Sequence, residues 1–234
     1  MEVLVDRFDV FASGLWVTVQ VCLLAAIGAL VLGTVAAVLR ISPVPPLRAV
    51  GTGYVTVFRN MPLTVVSVFV AFGLPQLGSD ASFLKIPVLD RAFPRLAIDL
   101  PYFRFFVIAL SLYTGAFVCE ALRAGINAVP AGQAEAARAL GLSFGQTLRT
   151  VVLPQAFRTV VPPLGNVWIA LAKNTSIAAG FAVTDLAAAL QRLANQNADQ
   201  LLTVFLAIVV AYLIITLPSA WLIGVIERRT AILR

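Results

Sequence analysis

The chain has 234 residues, of which 60% are hydrophobic and only 12% are charged, with a formal net charge of +6. Because soluble domains contain about 25% charged residues, this composition excludes a soluble enzyme, a secreted disulfide scaffold and a nucleic-acid-binding protein. The sequence has no histidine, and Cys22 and Cys119 both lie in apolar stretches, so it offers neither metal-ligand spacing nor a catalytic imidazole.

Long apolar stretches predict an all-α membrane protein with a single domain over residues 1–234 and five spanning helices. About 20 helical residues cross the hydrocarbon core of a bilayer. The first and last stretches are the clearest, since 14–39 has no charged residue in 26 positions and 200–226 has none in 27. The predicted spans are 14–39, 54–73, 103–122, 160–183 and 201–226.

The segments outside the spans differ in character. The start of the chain is acidic where a signal peptide is basic, so we expect the first span to remain in the mature protein. The link 74–101 is rich in proline and in apolar residues, and we expect it to lie in the membrane interface. Residues 184–199 predict a short amphipathic helix capped by Thr184 or Asp185. Its apolar face is formed by Leu186, Leu190 and Leu193.

The distribution of basic residues predicts an orientation with the N-terminus outside and the C-terminus inside. In that orientation the cytoplasmic side holds ten arginines, whereas the outer side holds six basic residues. Cytoplasmic loops of membrane proteins carry an excess of Lys and Arg. The loop 123–159 is therefore predicted to face the cytoplasm.

This cytoplasmic loop is predicted to fold as two helices around a glycine turn. Residues 131–140 predict a short helix, which Gly141 ends because glycine readily adopts the left-handed conformation of helix C-termini. Ser143 and Gln146 have the spacing of a capping box for a second helix over 144–153. Such a compact, exposed unit is suited to docking in a groove of a partner protein.

The loop resembles the EAA motif of the permease subunits of ATP-binding-cassette (ABC) importers. The matching residues are Glu135, Ala136, Ala137, Gly141, Leu153 and Pro154. Val151 stands where that family usually has isoleucine, and Pro154 lies where we expect the second helix to end. In the family this motif forms the coupling helix that sits in a groove of the cytoplasmic ATPase subunit, and the resemblance implies the same role here.

The resemblance extends over nearly the whole chain. Residues 58–63 resemble the Phe-Arg-Gly-Thr-Pro-Leu signature of polar amino-acid permeases, with departures at Asn60 and Met61. Residues 129–133 resemble the run before the EAA motif, and 173–176 resemble a Lys-Asp/Asn-Thr-Ser motif. The combination is most similar to the glutamate-uptake permeases of actinobacteria. It implies a multi-pass plasma-membrane permease for glutamate, with glutamine, cystine or a basic amino acid as alternative substrates.

The resemblance also implies partners. The chain has no Gly-x-x-x-x-Gly-Lys-Ser/Thr phosphate loop, so ATP and Mg²⁺ would be bound by a separate ATPase subunit and this chain would bind no cofactor. Five spans are too few to enclose a path, which favours a dimer with a second permease, identical or related. The family implies, besides two permeases within the lipid membrane, two ATPase subunits and an extracellular substrate-binding protein, but no nucleic acid.

Polar residues inside the fourth predicted span are candidates for the substrate path or for gating. Lys173 lies near its middle, where a charge costs roughly 2.5–3.5 kcal/mol on insertion scales, so a cavity, a partner or a substrate is expected beside it. It could attract the carboxylate of an acidic amino acid, bond carbonyls at a helix break, or pair with Glu120. The neighbouring Asn174, Thr175 and Ser176 add donors and acceptors.

Two further charged residues are assigned to the same group. Arg59 lies near the cytoplasmic end of the second predicted span, where it could reach the interface or face the path. Glu120 lies at the cytoplasmic end of the third span and is expected to pair with Arg59 or Arg123.

Two other classes of function stay open: an ion-coupled secondary transporter acting alone, and a membrane anchor that recruits a cytoplasmic protein. The small number of spans and the lack of an inverted sequence repeat count against the first.

Overall fold

The computed structural model describes residues 7–78, 101–196 and 198–230, and within these ranges all regular structure is helical. The helices are α1 (Phe8–Ile41), α2 (Pro45–Asn60), α3 (Leu63–Gln76), α4 (Pro101–Asn127), α5 (Ala131–Ala139), α6 (Phe144–Phe181), α7 (Leu186–Gln196) and α8 (Leu201–Thr230). The predicted all-α class is confirmed. Most of the predicted interfacial link 74–101 lies outside the described residues.

Among the described helices, α1, α4 and α8 are long and apolar enough to cross a membrane. The bent pairs α2/α3 and α6/α7 bring the number to five if each pair forms one span. α1 begins at Phe8, six residues before the predicted span, because Asp9 in its first turn favours the positive end of the helix dipole. The orientation in the membrane stays a prediction.

The predicted span 54–73 is not one straight helix. α2 and α3 meet at 109° around Met61 and Pro62. Met61 has extended φ and ψ of −90° and 140°, because the ring of a proline disfavours helical backbone in the preceding residue. Pro62 then precedes the first turn of α3.

The predicted end of a helix at Pro154 is wrong. α6 continues past this proline, which lies two residues after a five-residue π turn at Leu148–Val152. A π turn changes the hydrogen-bond pattern locally, so a residue without an N–H can follow it in a continuing helix. α6 then tightens into a 3₁₀ segment, Thr175–Phe181, and ends at Ala182 in the left-handed conformation.

The core is built by α1 packing against α4, with α3 and α6 covering one end. Small residues such as Ala25, Ala29 and Ala109 are fully buried and let the helices approach closely. Aromatic side chains fill one end of this core, with Phe106 stacked on Phe181 at a centroid distance of 5.9 Å. The surface facing away from this core is apolar, as expected for helices in lipid.

Candidate functional site

The predicted helix–turn–helix of the loop is confirmed. α5 ends in a glycine turn in which Gly141 has φ +89°. The Gly141 N–H donates to the Arg138 carbonyl at 2.9 Å, and the Leu142 N–H donates to the Ala137 carbonyl at 3.2 Å. These two bonds form a Schellman motif, which satisfies the last carbonyls of the helix.

The start of α6 carries the predicted capping box. The Ser143 N–H donates to Gln146 Oε1 at 2.9 Å, and the Gln146 N–H donates to Ser143 Oγ at 3.4 Å. Two N–H groups that would lack partners at the helix start are thereby satisfied. With both helix ends capped around it, the turn has one defined backbone shape.

Most of the EAA residues lie on the surface of this unit. Glu135, Ala136, Gly141, Leu153 and Pro154 are exposed, whereas Ala137 is buried. The turn also exposes two large apolar side chains, Leu140 (81% exposed) and Phe144 (76% exposed). These two residues were not singled out from the sequence, although their place on either side of the Gly141–Ser143 turn is a signal that could have found them.

The base of the loop is closed by a close contact between α4 and α6. The Thr159 hydroxyl donates to the Gly125 carbonyl at 2.8 Å. A Cβ atom on Gly125 would lie 2.0 Å from Val160 Cγ2, so only glycine fits without displacing the neighbouring helix. The ends of α4 and α6 therefore form one packed unit beneath α5.

Glu120 lies in a cluster of charges from three helices. One carboxylate oxygen, Oε1, accepts a hydrogen bond from Arg40 Nη1, and Oε2 lies 3.1 Å from Arg59 Nη1. The pairing with Arg59 was one of the two predicted alternatives. Arg40 was missed because it belongs to α1, 80 residues away in sequence, and Arg123 is not a partner of Glu120 among the described ion pairs.

Lys173 is exposed to a cavity of about 440 Å³ between α6, α7 and α8. Ser176, Tyr212 and Thr216 add hydroxyl groups to the same wall. The Ser176 hydroxyl donates to the Lys173 carbonyl at 2.8 Å. A cation and several hydroxyl groups therefore line one cavity whose other walls are apolar.

Asn174 lines a second cavity, of about 390 Å³, between α4 and α6. Tyr113, Thr114 and Asn166 are further polar residues of its wall. The Thr114 hydroxyl is buried, and the described residues offer it no hydrogen-bond partner. Thr175 is fully buried and donates to the Ala172 carbonyl at 2.8 Å, so its hydroxyl satisfies backbone. The residues predicted for the substrate path or for gating therefore do not form one site. Lys173 and Ser176 line one cavity, Asn174 lines the other, and Thr175 lies in the core.

The bend between α6 and α7 contains a buried carboxylate that the sequence marked only as a helix cap. Asp185 Oδ1 accepts a hydrogen bond from the Ala188 N–H at 2.9 Å, which confirms the capping role. The Leu186 N–H donates to Thr18 Oγ1 at 3.0 Å, and the Tyr212 hydroxyl lies 3.5 Å from Asp185 Oδ2. These bonds fix the bend against both α1 and α8.

Comparisons with known proteins place this arrangement in a family. Residues 29–232 match the family model described as the binding-protein-dependent transport system inner membrane component. The chain is 41% identical over 217 residues to the glutamate transport system permease protein GluC of Corynebacterium glutamicum, covering 93% of this chain and 92% of that one. It is 34% identical to the probable glutamine ABC transporter permease protein GlnM of Bacillus subtilis, covering 98% and 97%.

A solved structure supports the same assignment. The chain resembles the crystal structure of an amino acid ABC transporter with histidines, with a TM-score of 0.82 and 30% identity, covering 97% of this chain and 96% of that one. The protein is a multi-pass membrane protein and a transporter subunit rather than an enzyme. The chain belongs to the family of binding-protein-dependent transport system inner membrane components.

Proposed function

We propose that this chain is the permease subunit of an ABC importer that takes up a polar amino acid, glutamate being the favoured substrate, and that a separate ATPase drives it. The identity of 41% to a glutamate transport permease supports the substrate. Glutamine is the main alternative, because the 34% identical relative is named for it.

The observation that carries the proposal is the capped turn between α5 and α6 with its exposed apolar pair. Leu140 and Phe144 flank Gly141 and project from a backbone that hydrogen bonds hold in one shape. Fully burying one such side chain contributes about 1.5–3 kcal/mol. An apolar groove on an ATPase subunit is the partner surface that suits this pair, with the exposed motif residues Glu135, Ala136, Leu153 and Pro154 around it.

ATP binding and hydrolysis would then act on the permease through its backbone. α4 ends at Asn127 and α5 begins at Ala131, so three residues join the coupling helix to a spanning helix. The bond between Thr159 and Gly125 joins α4 to α6 at the same level. Closure of two ATPase subunits would move both helices together, as a rigid-body change between inward and outward access.

The two cavities beside α6 provide the polar surface of the path. Lys173 and Ser176 would attract a substrate carboxylate, and Asn166 and Asn174 would bond its amino or amide groups. Both cavities are open, which fits a path completed by a second permease subunit. An extracellular binding protein would deliver the substrate. ATP and Mg²⁺ would bind to the ATPase rather than to this chain.

The test is uptake of radiolabelled glutamate into proteoliposomes that contain the permease, its ATPase and its binding protein. We expect uptake only when ATP is enclosed with the ATPase. Competition with unlabelled glutamate, glutamine, cystine and arginine identifies the substrate, and we expect glutamate to compete best. Uptake driven by an ion gradient without ATP would establish the secondary-transporter alternative, and ATPase binding without uptake of any amino acid would establish the anchor.

A further inference from the structure

The ion cluster of Arg40, Glu120 and Arg59 joins three helices at one carboxylate. Arg40 lies in the last turn of α1, and Arg59 lies in the last turn of α2. Glu120, on α4, uses Oε1 for Arg40 and Oε2 for Arg59, so each oxygen holds a different guanidinium group. One side chain of α4 therefore holds the ends of α1 and α2 through ion pairs.

The cluster is partly shielded from solvent. The side chains of Arg40, Glu120 and Arg59 are 17%, 34% and 46% exposed. A fully exposed ion pair contributes little, whereas charge-assisted hydrogen bonds that are partly dehydrated are stronger. Removing the Glu120 charge would leave two neighbouring guanidinium groups that repel each other and that no ion pair to Glu120 holds to α4.

On one side the cluster connects to the loop 123–159, which carries the proposed docking turn and is called the coupling loop below. Glu120 lies five residues before Gly125, whose carbonyl accepts the hydrogen bond from Thr159 of α6. α4 is an uninterrupted helix from Pro101 to Asn127, and the link to α5 is three residues long. A displacement of α5 therefore reaches Glu120 through one continuous helix.

On the other side the cluster connects to the bend between α2 and α3. Arg59 is the second-to-last residue of α2, and the chain turns by 109° between α2 and α3. α2 is also held to α4 by Tyr54, whose hydroxyl donates to the Leu112 carbonyl at 2.7 Å. Beyond the bend, Leu63 and Val66 of α3 are buried in the core. Arg59 is therefore the attachment point of α2 that lies nearest to the bend.

We propose that the Arg40–Glu120–Arg59 cluster is a mechanical relay: it transmits the movement of α4 to α1 and to the α2/α3 bend. Glu120 and Arg59 then act as positioning residues rather than as contacts of the substrate. This inference rests on the proposed function, because the movement comes from an ATPase at the coupling loop. It predicts that loss of the cluster uncouples the two activities, so that ATP hydrolysis continues while transport falls.

The experiment measures uptake and ATP hydrolysis in the same proteoliposomes with the complete complex. The variant Glu120→Gln keeps the shape of the side chain and removes its charge. We expect uptake to fall about fivefold or more while ATP hydrolysis stays within about twofold of the original chain, because coupling between sites typically changes affinities by 5–150-fold. Glu120→Asp keeps the charge and should recover part of the uptake. Arg123→Gln, one turn further along α4, is the matched control and should keep both activities.

A double variant tests whether the two ion pairs form one link. If they do, Arg59→Gln combined with Glu120→Gln should transport no less than Glu120→Gln alone, because the link is already broken. Multiplied losses in the double variant would overturn the relay. So would an unchanged ratio of transport to hydrolysis in Glu120→Gln, or an equal fall of both activities. Absence of ATP-dependent uptake in the original chain would refute the proposed function itself, before any variant is compared.

Discussion

Leu140 and Phe144 flank the turn between α5 and α6, which we call the coupling turn. Truncating these two side chains should weaken the binding of the ATPase subunit without disturbing the fold of the permease. Leu140 and Phe144 are 81% and 76% exposed, so Leu140→Ala and Phe144→Ala remove few contacts within the chain. The backbone of the turn is held by the Schellman motif and by the capping box, neither of which involves these side chains. The two substitutions therefore act mainly on the docking surface.

The size of the effect follows from the area that docking would bury. Full burial of a leucine or phenylalanine side chain contributes about 1.5–3 kcal/mol, and alanine retains part of this. We expect each substitution to cost about 1–2 kcal/mol, which raises the Kd about 5–30-fold. The two effects should not simply add, because both side chains belong to one turn and are proposed to bind the same groove.

The assay is equilibrium binding of purified ATPase subunit to the permease in lipid nanodiscs. Leu77, directly after α3, is 81% exposed, as Leu140 is, but lies outside the loop 123–159, which makes Leu77→Ala the matched control. We expect the control to change the Kd less than about twofold, within the range of a surface substitution. Unchanged binding in both turn variants, with the control unchanged as well, would refute the assignment of the turn as the docking surface.

Three further substitutions test the packing, the path and the bend. Gly125→Ala forces a Cβ against Val160 and should lower the melting temperature of the purified protein by about 3–10 °C. Gly224→Ala, whose Cβ meets open space, should leave the melting temperature unchanged. Equal melting temperatures for the two variants would contradict the close contact between α4 and α6. Lys173→Gln should raise the KM for glutamate uptake about tenfold and Lys173→Arg less, and an unaltered KM would remove Lys173 from the path. Asp185→Ala removes the cap of α7 and should lower the free energy of unfolding by about 1 kcal/mol in denaturant titrations, an effect that Asp185→Asn largely avoids. Equal free energies of unfolding for the two variants would argue against the cap.

The coupling loop could be predicted in detail because its signals are local. A glycine with positive φ, and a serine three residues before a glutamine, fix the ends of α5 and α6 whatever surrounds them. The cap of α7 by Asp185 was predictable for the same reason. The apolar stretches likewise indicated α1, α4 and α8, the helices long and apolar enough to cross a membrane, since the thickness of the hydrocarbon core sets the length of a span.

The features that sequence reasoning missed depend on helices that are distant in sequence or on the local helix type. Arg40 reaches Glu120 only because α1 packs on α4. The π turn before Pro154 let α6 continue where the sequence indicated an end. The 3₁₀ segment from Thr175 to Phe181 has three residues per turn. It directs the hydroxyl of Thr175 into the core, while its neighbours line cavities.

The most direct test of the account is a cross-link from the coupling turn to the ATPase subunit in the assembled complex. The variant Leu140→Cys is made in a chain whose Cys22 and Cys119 are replaced by alanine, and a short thiol-reactive cross-linker is added to native membranes. The account predicts a covalent product with the ATPase subunit, formed only with a reagent that reaches the cytoplasmic side. No product with that subunit, or labelling of the cysteine by an impermeant reagent from outside intact cells, would contradict it.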